Sequence, residues 1–489
     1  MKKLYILIVL IPSISFGQVQ IGQDIDGEAA SNTSGNSIKL SSDGSTIAIG
    51  AMSNFENGNN SGHIRIYEDL SGIWTQIGQD IDGDFSGDFF GRSIGLSSDG
   101  NIVAAGATQN DFNSTGVGYV RIYQNLSGVW TQIGQDIQGT NTVDLFGSSV
   151  SLSSDGSIIA VSAPHDSTNG FRAGQVKVYE NQASNWVQIG QDINGEVAGD
   201  NAGWSLSLSS DGSILAVSSI FNANNGSNSG HVRVFENQSG NWIQIGNSIN
   251  GEAANDISGN SVALSSDGSF LAIGSPGNDG NGDDSGHVRI YENQSGSWIQ
   301  VGNNINGEAE FDQSGFSVSL SSDGSIVAIG SPFNNGNGNS SGHVRIYENQ
   351  FGVWTQIGSD IDGEASGDNS GSSVSLSSNG SIIAISGPNN DGNGGGSGHV
   401  RVYDLSTLLS IQGQNIYDFG IYPNPAKNQF TIQLENSSDL QKINIYNNLG
   451  QLVLSSKETT VYTSQLTSGL YIVKLETANG KGSKKLIIE

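Results

Sequence analysis

The chain reads as an all-β protein: a seven-bladed β-propeller closed by its own N-terminal strand, followed by a small Ig-like β-sandwich. Three observations carry this. Trp74, Trp130, Trp186, Trp242, Trp298 and Trp354 recur every 56 residues with no insertion or deletion between them, and a fixed period in this range marks a propeller, solenoid or array. Each unit shows period-2 alternation and Gly-rich turns, the pattern of strands. The segment ending in QIG occurs first at 18–22, ahead of the first full unit, and is missing after the last one.

The elements follow in order. Within a unit, "SIKLSS" at 37–42 alternates apolar and polar residues, and Asp43-Gly44 suits a tight hairpin turn into "STIAIGA" at 45–51. "GHIRIYE" at 62–68 alternates again, and "WTQIG" at 74–78 follows the short turn at Ser71-Gly72. Four antiparallel strands without a helix make a propeller blade. The seventh unit ends at "GHVRVYD", residues 398–404, without its own fourth strand. "QVQIG" at 18–22 is expected to supply it, which removes two open sheet edges. The turns after the first and third strands are short and share one face. The loops after the second strand and between blades are long, acidic and Asn-rich, and they share the other face, where binding is expected.

Composition agrees. Charged residues are 13% of 489, and Gly accounts for 69, so solubility rests on Asn, Ser, Gly and Asp. Residues 18–411 hold 10 Lys and Arg against 41 Asp and Glu, whereas 412–489 hold 7 against 6. So acidic a body excludes nucleic acid as a partner, because that binding depends on basic side chains. There is no Cys, hence no disulfide framework or thiolate site. Residues 1–17 read as a secretory signal peptide: Lys2 and Lys3, an apolar run, and Ser15-Phe16-Gly17 before a cleavage expected ahead of Gln18. The apolar run is too short to span a bilayer, and no membrane span is expected in the mature chain. The division is therefore signal peptide 1–17, propeller 18–411 and C-terminal domain 412–489.

"FGRSIGLSSDGNIVAAGA" at 90–107 and "FGSSVSLSSDGSIIAVSAP" at 146–164 resemble the FG-GAP repeat family. The resemblance implies a propeller of the integrin-head kind, some of whose repeats bind calcium in blade loops. The Asp-x-Asp-x-Asp-Gly pattern of those calcium loops is absent from this chain. "YPNPAKNQFTI" at 422–432, Leu449-Gly450-Gln451, "GLYIVKLE" at 469–476 and the Lys-rich end resemble the type A sorting domain of the type IX secretion system. That implies a β-sandwich, an extracellular or surface location, and the secretion machinery as a partner of 413–489.

Three columns of the repeat invite a chemical reading. Arg65, Arg121, Lys177, Arg233, Arg289, Arg345 and Arg401 occupy one mid-strand position, where a charge must be paired; inter-blade ion pairs are expected. His63, His231, His287, His343 and His399 alternate with Tyr119 and Gln175 in another column, so packing or hydrogen bonding is expected there. The six Trp read as inter-blade core. Calcium is the one cofactor the loops suggest. Asp279, Asn281, Asp283 and Asp284 crowd one Gly-rich loop and Asp391 and Asn393 another, and oxygen ligands of this kind suit calcium. Residues that differ from their repeat counterparts, Arg92, His165, Asp166, Arg172 and Trp204, are where a catalytic group would stand, but no proton-transfer pair converges on them in sequence. The expected function is a secreted or surface-displayed binding or adhesion propeller, not an enzyme, with a glycan or surface protein as ligand on the long-loop face. The rivals are a polysaccharide-acting enzyme and a structural coat or biofilm component.

Overall fold

A computed structural model describes residues 17–109, 116–412, 419–434, 440–447, 452–463, 466–477 and 480–488. The expected signal peptide, apart from Gly17, and the Leu449-Gly450-Gln451 motif lie outside the described residues. The chain forms two compact units, 1–406 and 407–489.

In the first unit the strands β1 (Val19–Gln20), β2 (Ile25–Asp26), β3 (Ser37–Leu40), β4 (Thr46–Ala51), β5 (His63–Asp69), β6 (Trp74–Gln76) and β7 (Ile81–Asp82) open the chain. The first sheet runs β3-β4-β5-β6, with β7 also paired to β5, and six further sheets repeat this order. The four-strand reading of a blade therefore needs correction, since each has five strands. The outer strand breaks after Gln76 and resumes at Ile81 on the same edge, with Ile81 opposite Ile64. Gly78 makes the break possible, because its φ of 74° lies in the left-handed region that glycine tolerates best. The Gln76 amide donates to Asp80 across the bulge and holds it shut. Ile81 then buries its side chain, only 5% exposed, in the seam between blades.

The sheet that closes the ring is built from both ends of the unit. Residues 399–404 pair on one side with 382–387 and on the other with β1 and β2, Val19 opposite Asp404 and Ile25 opposite Val400. The orphan N-terminal QIG segment is thus the outer strand of the seventh blade. Ile25 joins Ile47, Trp74, Val400 and Val402 in one core shared by the seventh and first blades.

Ring closure is also written in backbone hydrogen bonds. Ser42 N–H donates to the carbonyl of Ser98, Ser98 to Ser154, Ser154 to Ser210, and so on through Ser266 and Ser322 to Ser378, which donates back to Ser42; all seven are 2.8–2.9 Å. These serines belong to the short "SSDG" turns. Asp43 holds its turn by accepting from Ser41 Oγ and from the Ser45 N–H and Oγ, and Asn379 does the same in the "SSNG" copy. At the periphery each Trp indole donates to a carbonyl of the preceding blade, from Trp74 to Ile21 through Trp354 to Val301, at 2.8–3.2 Å. Gln18 stands in the Trp column, and its amide donates to Ser359 in the preceding blade. The reading of the Trp column as inter-blade core matches this geometry.

In the second unit a three-stranded sheet (420–422, 429–433, 460–462) and a four-stranded sheet (440–446, 452–456, 469–477, 480–488) are antiparallel throughout. Phe430, Ile432, Ile443, Val473 and Leu475 from both sheets share one core.

Candidate functional site

The long-loop face is built by the loops that enter the first and third strands of each blade. Its seams are charged. Arg65 donates to the Asp26 carbonyl at 2.9 Å and meets Glu28 at 3.5 Å, both from the segment that completes the preceding blade. Arg233, Arg289, Arg345 and Arg401 repeat the carbonyl bond to Asn194, Asn250, Asn306 and Asp362. Arg121 instead bonds Asp84 and Asp136. The expected ion pairs across blades form at Arg65, Arg121, Arg289, Arg345 and Arg401, and the guanidiniums of Arg65, Arg289, Arg345 and Arg401 also lie over the Tyr two residues on. The five histidines are buried beside these pairs. Burial, then the neighbouring Arg65, pulls His63 down to about 4, so it is neutral at pH 7.

Near the start of each first strand stands a column that varies: Asn36, Arg92, Trp204 and Phe316 among others. Its members line up around the long-loop end of the central channel. Asn36 donates to the Arg92 carbonyl of the next blade at 3.2 Å, and Asn260 to that of Phe316 at 2.9 Å. A second varied column lies beside it, just after each second strand. Trp204 meets Phe221 edge-on at 6.2 Å, and Phe316 meets Phe333 at 6.1 Å. His165 belongs to this column, and burial, then Arg172 and Arg92, keeps it below the ordinary histidine range. The structure thus gathers Arg92, His165 and Arg172 in one neighbourhood and sets Trp204 in an aromatic pair. Asp166 is not part of that group: it is buried and accepts from the Thr168 N–H within its own loop. Phe221, Phe316 and Phe333 were missed in the sequence, although comparing the seven copies column by column would have found them.

The channel itself encloses about 220 Å³ between the seven first strands. Lys39 projects into it where the other copies carry Gly95, Ser151, Ser207, Ala263, Ser319 and Ser375. Water reaches its side chain, yet protein surrounds it on every side, and this desolvation lowers its pKa. Below about pH 10.4 the unfolded chain carries this proton more readily than the folded ring does, so the wild type should gain stability as pH rises toward that value. We expect Lys39→Ser to melt a few degrees above wild type at pH 7, with the gap narrowing by pH 10. Melting curves across that range check this, and a variant less stable at pH 7 would refute it.

The calcium candidates are divided between two blades. Asp279 accepts from the Asp284 N–H at 2.9 Å and Asp391 from the Gly396 N–H at 2.8 Å, so each closes its own loop. The Asn281 amide donates to the Gly307 and Glu308 carbonyls just after the outer strand of its own blade, and Asn393 donates to Gly27 at the matching place in the seventh blade. Asp283 and Asp279 stand close enough to Asp284 to add to the effect of burial in raising its pKa. Asp279 and Asp391 thus act as turn formers in this geometry, and Asn281 and Asn393 staple their loops to the connector that leaves the same blade.

Fold and site together define an all-β, ring-closed repeat protein with a charged, aromatic-lined channel mouth and a C-terminal export module. Residues 420–489 match the family model of the secretion system C-terminal sorting domain. This supports handling by the type IX secretion machinery, with export out of the cell, and among the described residues no helix is long and apolar enough to cross a membrane. An ulvan lyase of Nonlabens ulvanivorans, NLR42, is 42% identical over 79 residues, which are 15% of this chain and 14% of that protein. The chain therefore matches only about one seventh of that relative's length. Among solved structures, the β-propeller domain of Myceliophteria thermophila Cps50 (Swd1) gives a TM-score of 0.48 at 10% identity over 79% of this chain and 98% of that one. The periplasmic gluconolactonase PpgL of Pseudomonas aeruginosa gives 0.45 at 17% over 67% and 85%. Likenesses of this size carry no argument about function.

Proposed function

We propose that the exported ring binds a glycan through the channel mouth of its long-loop face. The observation that carries this reading is the convergence of variation. Seven near-identical blades differ at the two columns that meet around the mouth, and the differences supply aromatic rings, amides and a cation. Aromatic faces suit the apolar faces of sugar rings, and a small number of placed polar groups gives orientation. Arg92 and Arg172 favour a ligand bearing carboxylate or sulfate groups, since guanidinium pairs such groups well.

The test is a binding screen of neutral and acidic polysaccharides with the mature chain, Trp204→Ala and Arg92→Ala. We expect each variant to bind at least ~10-fold more weakly, the loss of one buried anchor of about 1.4 kcal/mol or more. Equal binding by both variants overturns the assignment of the mouth. The same titration in chelator and in millimolar calcium tests the loops at 276–286 and 388–398. There the proposed calcium would relieve repulsion among Asp279, Asp283 and Asp284 and so raise the melting temperature.

One observation favours a second reading, action on a polysaccharide. His165 is held neutral by burial and by two guanidiniums, the state a general base requires. Release of soluble oligosaccharide by wild type but not by His165→Ala would select it.

A further inference from the structure

The seam between the seventh and first blades holds a cluster that the glycan reading does not use. Glu28 follows β2, Glu56 lies between β4 and β5, His63 opens β5, Asp80 sits in the outer-strand bulge, and Asp82 ends β7. His63 Nδ1 is 3.9 Å from Glu28 Oε2, 3.8 Å from Asp80 Oδ2 and 3.9 Å from Asp82 Oδ1. One ligand atom each from Glu28, Glu56, His63 and Asp80 lies within 4.8 Å of all the others. An independent observation points the same way. The His63 side chain is 1% exposed, and its Nδ1 has no hydrogen-bond partner; Asp82 Oδ1 is buried and likewise without one. Both orphaned atoms face the same space. Arg65 engages Glu28 through Oε1, which leaves Oε2 turned toward His63.

We propose that this seam binds one divalent first-row transition-metal ion, of the zinc or manganese kind, and that the ion locks the ring closed. An ion centred among these atoms would lie roughly 2.3–2.9 Å from each, so a small inward movement reaches the ~2.0–2.2 Å of nitrogen and carboxylate bonds. A neutral imidazole among carboxylates suits such a metal, whereas magnesium and calcium take oxygen ligands. The four carboxylates face a single guanidinium, and a dication is the partner that this imbalance lacks. Glu28 follows directly on the N-terminal outer strand while His63 belongs to the first blade, so one ion joins the two pieces that closure must hold together. Among the described residues three other seams present three such ligands each: Asp24, Asp26 and His399; Glu196, Asp200 and His231; Glu308, His343 and Asp360. In the second blade Tyr119 replaces the histidine, and Arg121 pairs with the acids directly.

The experiment strips the full mature chain with EDTA, then titrates Zn²⁺ and Mn²⁺ separately, reading bound metal per chain and melting temperature. The variants are Glu56→Gln, at an exposed loop position particular to this blade, and His63→Gln. We expect at least one of the two ions to raise the melting temperature of the wild type. Glu56→Gln should weaken the tightest site at least ten-fold while melting no lower than wild type in EDTA, because it removes a like charge. Should His63→Gln fail to fold, Glu56→Gln still decides. No shift with either ion overturns the proposal, as does uptake of metal that Glu56→Gln leaves unchanged, which would place it in other seams.

Discussion

Expressed without residues 18–26, the mature chain should fail to give a stable monomer: either it aggregates, or its melting temperature falls by more than about 10 °C. The deletion strips β1 and β2 from the strand at 399–404. It removes Ile25, 4% exposed, from the core shared with Ile47 and Trp74, and losing one such side chain costs about 2–5 kcal/mol. It also takes away the Ile21 carbonyl that accepts from the Trp74 indole and the Asp26 carbonyl that accepts from Arg65. Each buried donor left without a partner costs about 1–3 kcal/mol, more for a charged one. The sum rivals the whole stability of a typical domain, about 5–15 kcal/mol. The exposed edge would also template pairing between chains. A synthetic peptide of residues 18–27 should rescue the monomer in trans. A truncated chain that stays monomeric with an unchanged melting temperature would refute closure by this strand.

The second large effect concerns location. A chain ending at residue 411 should fold its ring and fail to leave the cell envelope, so that the protein outside the cell falls to background. Among the described residues, the ring's cores are built from residues of the ring, and the core around Phe430, Val473 and Leu475 from residues of the tail. Losing the tail therefore leaves every seam intact. Fractionation of cells and medium, with melting of the retained protein, separates an export defect from misfolding. Undiminished export of the truncated chain would show that residues 412–489 are not the sorting signal.

The blade count was legible because each blade meets the same packing problem with the same residues, so Trp74 and its five counterparts report every seam. The fifth strand was not legible. "GQDIDG" reads as a polar turn, and one buried Ile81 is too short a signal for alternation; only its partner Ile64 makes it a strand. Arg92, His165, Arg172 and Trp204 stood out as deviations, but their meeting around one opening follows from ring closure. Lys39 was passed over because, on an alternating strand, its side reads as solvent-facing. On an innermost strand that side is the channel. The cluster at His63 gathers Glu28, Glu56, Asp80 and Asp82 from separate connectors and strands, so no short motif could announce it.

The strand at 399–404 enters at the long-loop face and leaves at the face of the serine turns, where the chain continues toward the tail. Tension applied at Asp404 against a ligand held on the long-loop face would therefore run through the seventh blade. That pull runs along the strand, and the ladders to 382–387 and to Val19 and Ile25 lie across it. Because antiparallel ladder bonds stand perpendicular to their strands, traction loads them in shear, together, instead of peeling them one at a time. The one blade stitched from two separate lengths of chain is thus also the one placed to bear mechanical tension.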